Sequence, residues 1–248
     1  MSKLGFFKKN KSERKYIFRK KFFPSSITNK IYFDYLVSKG ISIGKGTFFF
    51  DPQHTLIDVQ RPWMISIGEY CKITSGVTIL THDYSRSVLR RRFSDILCEC
   101  KETFIGNNVF LGINSIILMG THIGNNCIVG AGSVVSGSFP DDVVIAGNPA
   151  KIICTIEDFY KKRKVCQIEE AKLWVKKFYA KYNRIPKQSE MSAFFVLFAK
   201  RDLEELKKEN IWYSWNGDSS DEILESFLRS EPYYKCYEDF IDDALKNS

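Results

Sequence analysis

The chain has 248 residues, 44% of them hydrophobic, with 37 basic and 29 acidic side chains and a formal net charge of +8. No apolar run approaches the roughly 20 residues that a membrane-spanning helix needs, and the first residues carry no apolar core of a secretory signal. A cytoplasmic protein with its seven cysteines reduced is therefore expected.

Nine of the basic residues and a single acid, Glu13, fall within residues 1–24, and the remaining charges balance. The excess thus describes an N-terminal arm and gives no reason to expect a nucleic-acid-binding fold. In that arm Phe6, Phe7, Ile17, Phe18, Phe22 and Phe23 interleave with the cations. This pattern suits peripheral contact with an anionic membrane through residues 1–24, or a basic helix packed on the core. A short helix around Ile27–Val37 completes a first segment, 1–40.

Beyond it the pattern changes period. From Ile41 the first coils read as irregular, with Phe48, Phe49 and Phe50 filling space. An aliphatic residue then recurs every six positions, at Ile67, Ile73 and Ile79 and again at Ile105, Leu111, Ile117, Ile123, Val129 and Val135. A compact residue stands four places on, at Val109, Ser115, Thr121, Cys127 and Ser133. This period matches neither a helix nor an alternating strand. It fits a parallel β-helix in which each step is a short strand and a corner, with three such steps closing one coil. Gly and Asn, as in Gly106-Asn107-Asn108 and Gly124-Asn125-Asn126, suit corners because they tolerate positive φ.

The rhythm fails over residues 83–104, a stretch rich in arginine (Arg86, Arg90, Arg91, Arg92). A break of that length inside a periodic core predicts an extruded loop, and such loops carry function. The repeat ends near Ser138, and an extended closing segment follows from Val143 to Ile153. From Thr155 the pattern is helical: Thr155 with Asp158 resembles a capping box, and apolar residues follow at Phe159, Ile168, Ala171, Val175, Phe178 and Tyr182. After Pro186, helices are expected over 190–209, 221–229 and 236–246, with Met191–Ala199 as a buried helix. Such an extension suits capping an open coil end, which is otherwise an unpaired edge.

The chain has three histidines. His122 precedes an inward Ile and reads as a solvated corner residue, and His54 lies in the early coils. His82 stands in Thr81-His82-Asp83, where regular coil meets the extruded loop. A histidine where a rigid scaffold releases a functional loop is a candidate for a functional role.

The hexads, the Thr81-His82-Asp83 break, Arg61-Pro62-Trp63 before Ile65-Ser66-Ile67-Gly68 and the closing Ala146-Gly147-Asn148-Pro149-Ala150-Lys151 resemble the left-handed β-helix (hexapeptide-repeat) acyltransferases. The likeness is to the maltose and galactoside acetyltransferases, and most of all to the capsule, colanic-acid and O-antigen O-acetyltransferases. It spans about 41–154. The resemblance implies an all-β solenoid with the basic arm before it and an α-helical extension, 155–248, after it. It also implies a homotrimer with sites between neighbouring coils and acetyl-CoA as acyl donor, with no metal. The acceptor would be a sugar hydroxyl of a bacterial surface polysaccharide or its precursor, and the enzyme would work in the cytoplasm, at the inner face of the membrane if the arm binds there.

In that family the histidine at the break is the general base, which places His82 in the role. Matching positions put Phe110 and Gly112 beside the pantetheine and thioester, with Ala131 and Ser136 along the groove and Lys151 at a CoA phosphate. Asp51, Arg61, Trp63 and Asp83 would serve the acceptor. Adjacent residues on an extended chain face opposite ways, so Asp83 is expected to contact acceptor or pin the loop. His82 would then be oriented by a backbone carbonyl or a neighbouring subunit. Two departures stand out: many relatives have Trp at Phe110, and many have Lys-Asp where this chain has Gly137-Ser138.

Three other readings make different demands. A serine or amino-sugar N-acetyltransferase would show a similar base and groove. A γ-type carbonic anhydrase needs a close histidine pair that His82 and His122 do not form. A non-catalytic structural β-helix would need neither the His82 break nor the Lys151 closing motif.

Overall fold

The computed structural model describes residues 10–246 apart from 212 and 214–216. Lys3, Phe6, Phe7, Lys8 and Lys9 of the basic arm lie outside the described residues. The chain divides into two compact units, Met1–Glu157 and Asp158–Ser248.

The first unit is built from very short parallel strands. One sheet joins Ser42–Ile43, Ile65–Ile67, Thr103–Ile105, His122–Ile123 and Ser138–Phe139. A second joins Phe48–Phe49, Lys72–Ile73, Phe110–Leu111, Ile128–Val129 and Val143–Gly147, and a third Leu56–Ile57, Thr78–Ile79, Ile116–Ile117 and Val134–Val135. The chain visits the three sheets in strict rotation, so each circuit stacks on the one before. The last residue of each inner strand points inward, and Ile73, Ile79, Ile105, Leu111, Ile117, Ile123, Val129 and Val135 are completely buried. The six-residue rhythm is this inward column, repeated on three faces.

The corners have two separate requirements. One residue per circuit adopts left-handed φ between the first and second sheets: Gly46, Tyr70, Asn108, Asn126 and Asp142. The glycines just before them serve another purpose. A Cβ on Gly106 would stand 2.7 Å from the backbone of Gly124, and one on Gly68 about as close to Gly106. Stacked circuits approach too closely there for any side chain. Asn and Asp side-chain oxygens then tie circuit to circuit, with the Asn107 backbone N–H donating to Asn125 Oδ1 (2.8 Å) and the Asn125 backbone N–H to Asp141 Oδ1 (2.7 Å).

The early coils are regular in pairing, contrary to the expectation of irregularity: Ser42 pairs with Ser66, Phe48 with Lys72 and Leu56 with Thr78. Only their spacing differs, because the connections 51–55 and 58–64 add residues to the six-residue step. Phe49 fills the inward column, whereas Phe50 faces solvent. Helix α1 (Lys11–Phe22) packs on α2 (Asn29–Lys39) through stacked Tyr16 and Tyr35 rings and a Glu13–Lys39 ion pair of 2.6 Å. Helix α2 covers the first circuit: Ile31, Tyr32 and Leu36 are buried in the common core, and Asn29 Oδ1 accepts from Phe49 N–H at 2.8 Å. A helix thus protects this open coil end. Inside the break lies a further helix, α3 (Arg86–Phe93), with no buried residue. The closing segment is an antiparallel hairpin, Val143–Gly147 against Ala150–Thr155, turned at Asn148-Pro149.

The second unit has its own core. The long helix α4 (Ile156–Tyr182) contributes Ala171 and Val175 to it. Residues 190–209 do not form the single helix expected. Two 3-10 turns, Gln188–Met191 and Phe195–Leu197, precede a short α5 (Leu203–Lys208). Met191, Phe195, Leu197, Phe198 and Ala199 are all buried, a set spread too widely around a helix for one apolar stripe. Two carbonyls of this stretch, Val196 and Ala199, are taken by the Arg201 guanidinium instead. Helices α6 (Ser220–Arg229) and α7 (Tyr237–Leu245) fall where expected.

Candidate active site

The third sheet sets the chemistry. Its strands Leu56–Ile57 and Thr78–Ile79 pair in register, so the residues leaving them, Asp58 and Thr81-His82, emerge side by side. Asp58 Oδ2 lies 2.6 Å from His82 Nδ1 and accepts from the Thr81 hydroxyl and backbone N–H, while Oδ1 accepts from Gln60 N–H at 2.9 Å. The Asp58 side chain is 5% exposed and that of His82 19%. The carboxylate is buried and saturated, and the imidazole keeps part of its surface exposed. Burial alone would raise the Asp58 pKa, but the Thr81 hydroxyl, the Gln60 N–H and the His82 ring together hold it below the usual carboxylate value.

This geometry does a specific job. An ionised Asp58 accepts a proton-bearing Nδ1, which leaves the Nε2 lone pair of His82 free as a base. His82 is therefore oriented by Asp58, in place of the backbone carbonyl or neighbouring subunit anticipated from sequence. Asp83 is indeed turned away. Its Oδ1 accepts from the Ser85 hydroxyl (2.7 Å) and N–H (2.9 Å), and its backbone carbonyl accepts from Arg86, so it pins the start of the loop.

The remaining candidates sit on different edges of the coil. Phe110 faces outward on the second sheet, partly exposed, with Lys72 and Ile128 as its neighbours in register. Gly112 and Ala131 follow at the corner between second and third sheets, where a Cβ on Gly112 would meet Ala131 N at 2.6 Å. Ser136 leaves the third sheet at its other edge, the edge from which His82 also emerges. Lys151 is exposed in the closing hairpin opposite Ala146. One chain thus presents His82 and Ser136 on one edge of the third sheet and Gly112 and Ala131 on the opposite one.

Among the acceptor candidates, Asp51 is already engaged, by its own turn and by the next circuit: Oδ2 lies 2.7 Å from His54 Nδ1 and accepts from Ser75 Oγ (2.6 Å). Trp63 is 71% exposed, and Arg61 has a buried Nη1 without a hydrogen-bond partner among the described residues. The loop encloses a cavity of about 240 Å³ lined by Tyr84, Arg86, Arg90 and Leu97. Sequence reasoning missed Asp58. Its signal was a carboxylate one circuit before His82, directly after the inward Ile57, two places short of the His82 position in register and hidden by the long 51–55 turn that disturbs the count.

A family profile described as "Hexapeptide repeat of succinyl-transferase" matches residues 103–136. A galactoside O-acetyltransferase of Escherichia coli K12 is 31% identical over 128 residues, which are 52% of this chain and 59% of the relative. WbbJ of the same organism, which carries the name of a lipopolysaccharide biosynthesis O-acetyl transferase, is 33% identical over 126 residues, 45% of this chain and 62% of WbbJ. Protein CapG of Staphylococcus aureus is 42% identical over 143 residues, 58% of this chain and 82% of CapG. The chain belongs to the hexapeptide-repeat acetyltransferases. It is an acyltransferase, and the Ile105–Val135 repeat that the profile matches stacks directly beneath the circuit bearing His82.

Proposed function

We propose that this hexapeptide-repeat acetyltransferase moves an acetyl group from acetyl-CoA to a sugar hydroxyl of a bacterial surface polysaccharide or its precursor. The observation that carries the proposal is the 2.6 Å contact between His82 Nδ1 and the buried Asp58 carboxylate. A sugar hydroxyl is a weak nucleophile near neutral pH. His82 Nε2 takes its proton as the oxygen attacks the thioester carbonyl, and the tetrahedral intermediate collapses with loss of CoA sulfur. The imidazolium returns the proton to that sulfur, so no acyl-enzyme forms. Asp58 holds the tautomer and balances the transient positive charge. Binding both substrates together supplies proximity, and a backbone N–H near the thioester stabilises the oxyanion.

The rotation through three sheets is read as a left-handed β-helix spanning 41–154, with an arm (1–40) before it and a helical extension (155–248) after it. The working enzyme is a homotrimer. This reading is supported by the placement of candidate residues on opposite edges of the third sheet: a heterologous interface brings unlike edges of neighbouring copies together. His82 of one copy then faces a donor groove containing Phe110, Gly112, Ala131, Ser136 and Lys151. Asp51, Arg61, Trp63 and Asp83 border the acceptor, and the arginines of α3 suit an anionic glycan. On α1 the side chains of Lys11, Arg14, Lys15, Phe18, Lys21 and Phe22 are all exposed. They follow i, i+3, i+4 spacing on one helix face, the arrangement that holds a helix to an anionic bilayer surface. We place the enzyme there, on the cytoplasmic face.

The test offers labelled acetyl-CoA and a panel of surface polysaccharides to the purified protein and locates any new ester. Acceptor-dependent O-acetylation is expected. Absence of acetyl-CoA binding by calorimetry would remove the proposal.

A further inference from the structure

We infer that the second unit carries a non-catalytic binding site for an acidic saccharide, in the cavity between α4 and the turns at Val196–Leu197 and Ser230–Tyr233. The cavity measures about 880 Å³, within the range of small-molecule sites.

Its deep side is formed by Ile168, Val196 and Leu197 together with the half-buried Arg201. Arg201 Nε donates to Ser230 O (3.1 Å) and Oγ (3.2 Å), Nη2 donates to Val196 O (2.7 Å), and Nη1 donates to Ala199 O. Every one of these acceptors is uncharged, and among the described residues no carboxylate lies within ion-pair distance of Arg201. Of its five donors, one on each terminal nitrogen is left over. A cation drawn out of water without a counter-ion is costly, and an anionic ligand relieves that cost.

The outer side adds two more cations, Lys161 and Lys164, against one acid, Glu231. It also adds two exposed aromatic rings, Tyr160 at 58% and Tyr233 at 65% exposure. Flat exposed rings over an apolar floor match the C–H face of a pyranose. The cations match a carboxylate or phosphate on that sugar, and Ser230 and Gln167 can meet its hydroxyls. A simple apolar ligand would leave the two spare Arg201 donors unused, and an acidic peptide would leave the Tyr233 ring without a flat partner.

On the function proposed above, with an acidic polymer as acceptor, a second grip on the same chain raises the acceptor's effective concentration without new contacts at His82.

The experiment titrates the full chain by calorimetry with tetragalacturonate, with maltotetraose as the neutral control and with tetraglutamate as the charge-only control. Tetragalacturonate is expected to bind at least ten-fold more tightly than either control and to weaken with added salt. Two outer substitutions, Lys164→Glu and Tyr233→Ala, should each weaken it at least five-fold while leaving the unfolding temperature unchanged. Equal affinity for maltotetraose or tetraglutamate, no binding of tetragalacturonate, or insensitivity to both substitutions would overturn the inference. Transfer to a small acceptor is measured on the same samples. It should be unchanged in both variants, so failure of saccharide binding and failure of acetyl transfer are read separately.

Discussion

Replacing Asp58 by asparagine changes one atom of a buried side chain and removes one charge. The carboxylate accepts from Thr81, Gln60 and His82. If the amide oxygen keeps the Gln60 contact, the NH2 group faces Thr81 and His82 Nδ1. Nδ1 must then accept, Nε2 carries the proton, and the ring no longer offers a base there. The charge matters separately. When His82 becomes imidazolium, Asp58 stabilises it across about 4 Å between charge centres, roughly 4 kcal/mol at an effective dielectric constant of about 20. That energy is about a thousand-fold in rate, and a comparable exchange beside a catalytic imidazole costs about 10⁴-fold. Asp58→Asn is therefore expected to lower kcat about 10³–10⁴-fold with the acetyl-CoA dissociation constant unchanged. Steady-state release of CoA thiol with acceptor present, beside calorimetric binding, measures both. Retention of about a tenth or more of the wild-type kcat would show that the dyad is not what makes His82 a base.

Other consequences follow from the same geometry. The Asp58 pKa lies below its ordinary 3.8 in the folded chain, so its ionised form contributes stability that is complete above that value and lost as pH falls through the folded pKa. The stability difference between wild type and Asp58→Asn, measured by denaturant titration, should shrink as pH falls below 3.8 and Asp58 takes up its proton; a gap that keeps widening below that pH contradicts the assignment. Gly112→Ala puts a methyl group 2.6 Å from the Ala131 backbone, where no flexible side chain can yield. A loss of about 1–3 kcal/mol is expected in chemical denaturation, and an unchanged midpoint would mean the circuits are not so closely stacked. Phe110→Ala removes the exposed ring assigned to the donor groove and should raise the acetyl-CoA dissociation constant about ten-fold, while Phe110→Trp should preserve it. Equal affinity in all three proteins would move the donor elsewhere.

The fold was readable wherever one interaction repeats. The inward column from Ile105 to Val135 writes its period directly into the sequence, because every third step faces the same neighbour one circuit away. Corner chemistry was half readable: Asn108 and Asn126 do take left-handed φ, but Gly106 and Gly124 are present for close approach, a demand that depends on the next circuit. The first coils looked irregular because the connections 51–55 and 58–64 add residues without disturbing the pairing. The first of these additions hid Asp58, whose partner His82 is distant in sequence and adjacent only once Leu56–Ile57 and Thr78–Ile79 are in register. The stretch Met191–Ala199 misled in the opposite sense. Its apolar density was visible, but the capture of its carbonyls by Arg201, which lies outside the run, was not.

The most direct measurement compares wild type with His82→Ala in acceptor-dependent release of CoA from acetyl-CoA, with donor affinity determined on the same preparations. A dissociation constant within about two-fold of wild type, together with turnover lower by about 10³-fold or more, is what a general base held by Asp58 predicts. Turnover by His82→Ala within about ten-fold of wild type would contradict it and place the proton transfer on another residue.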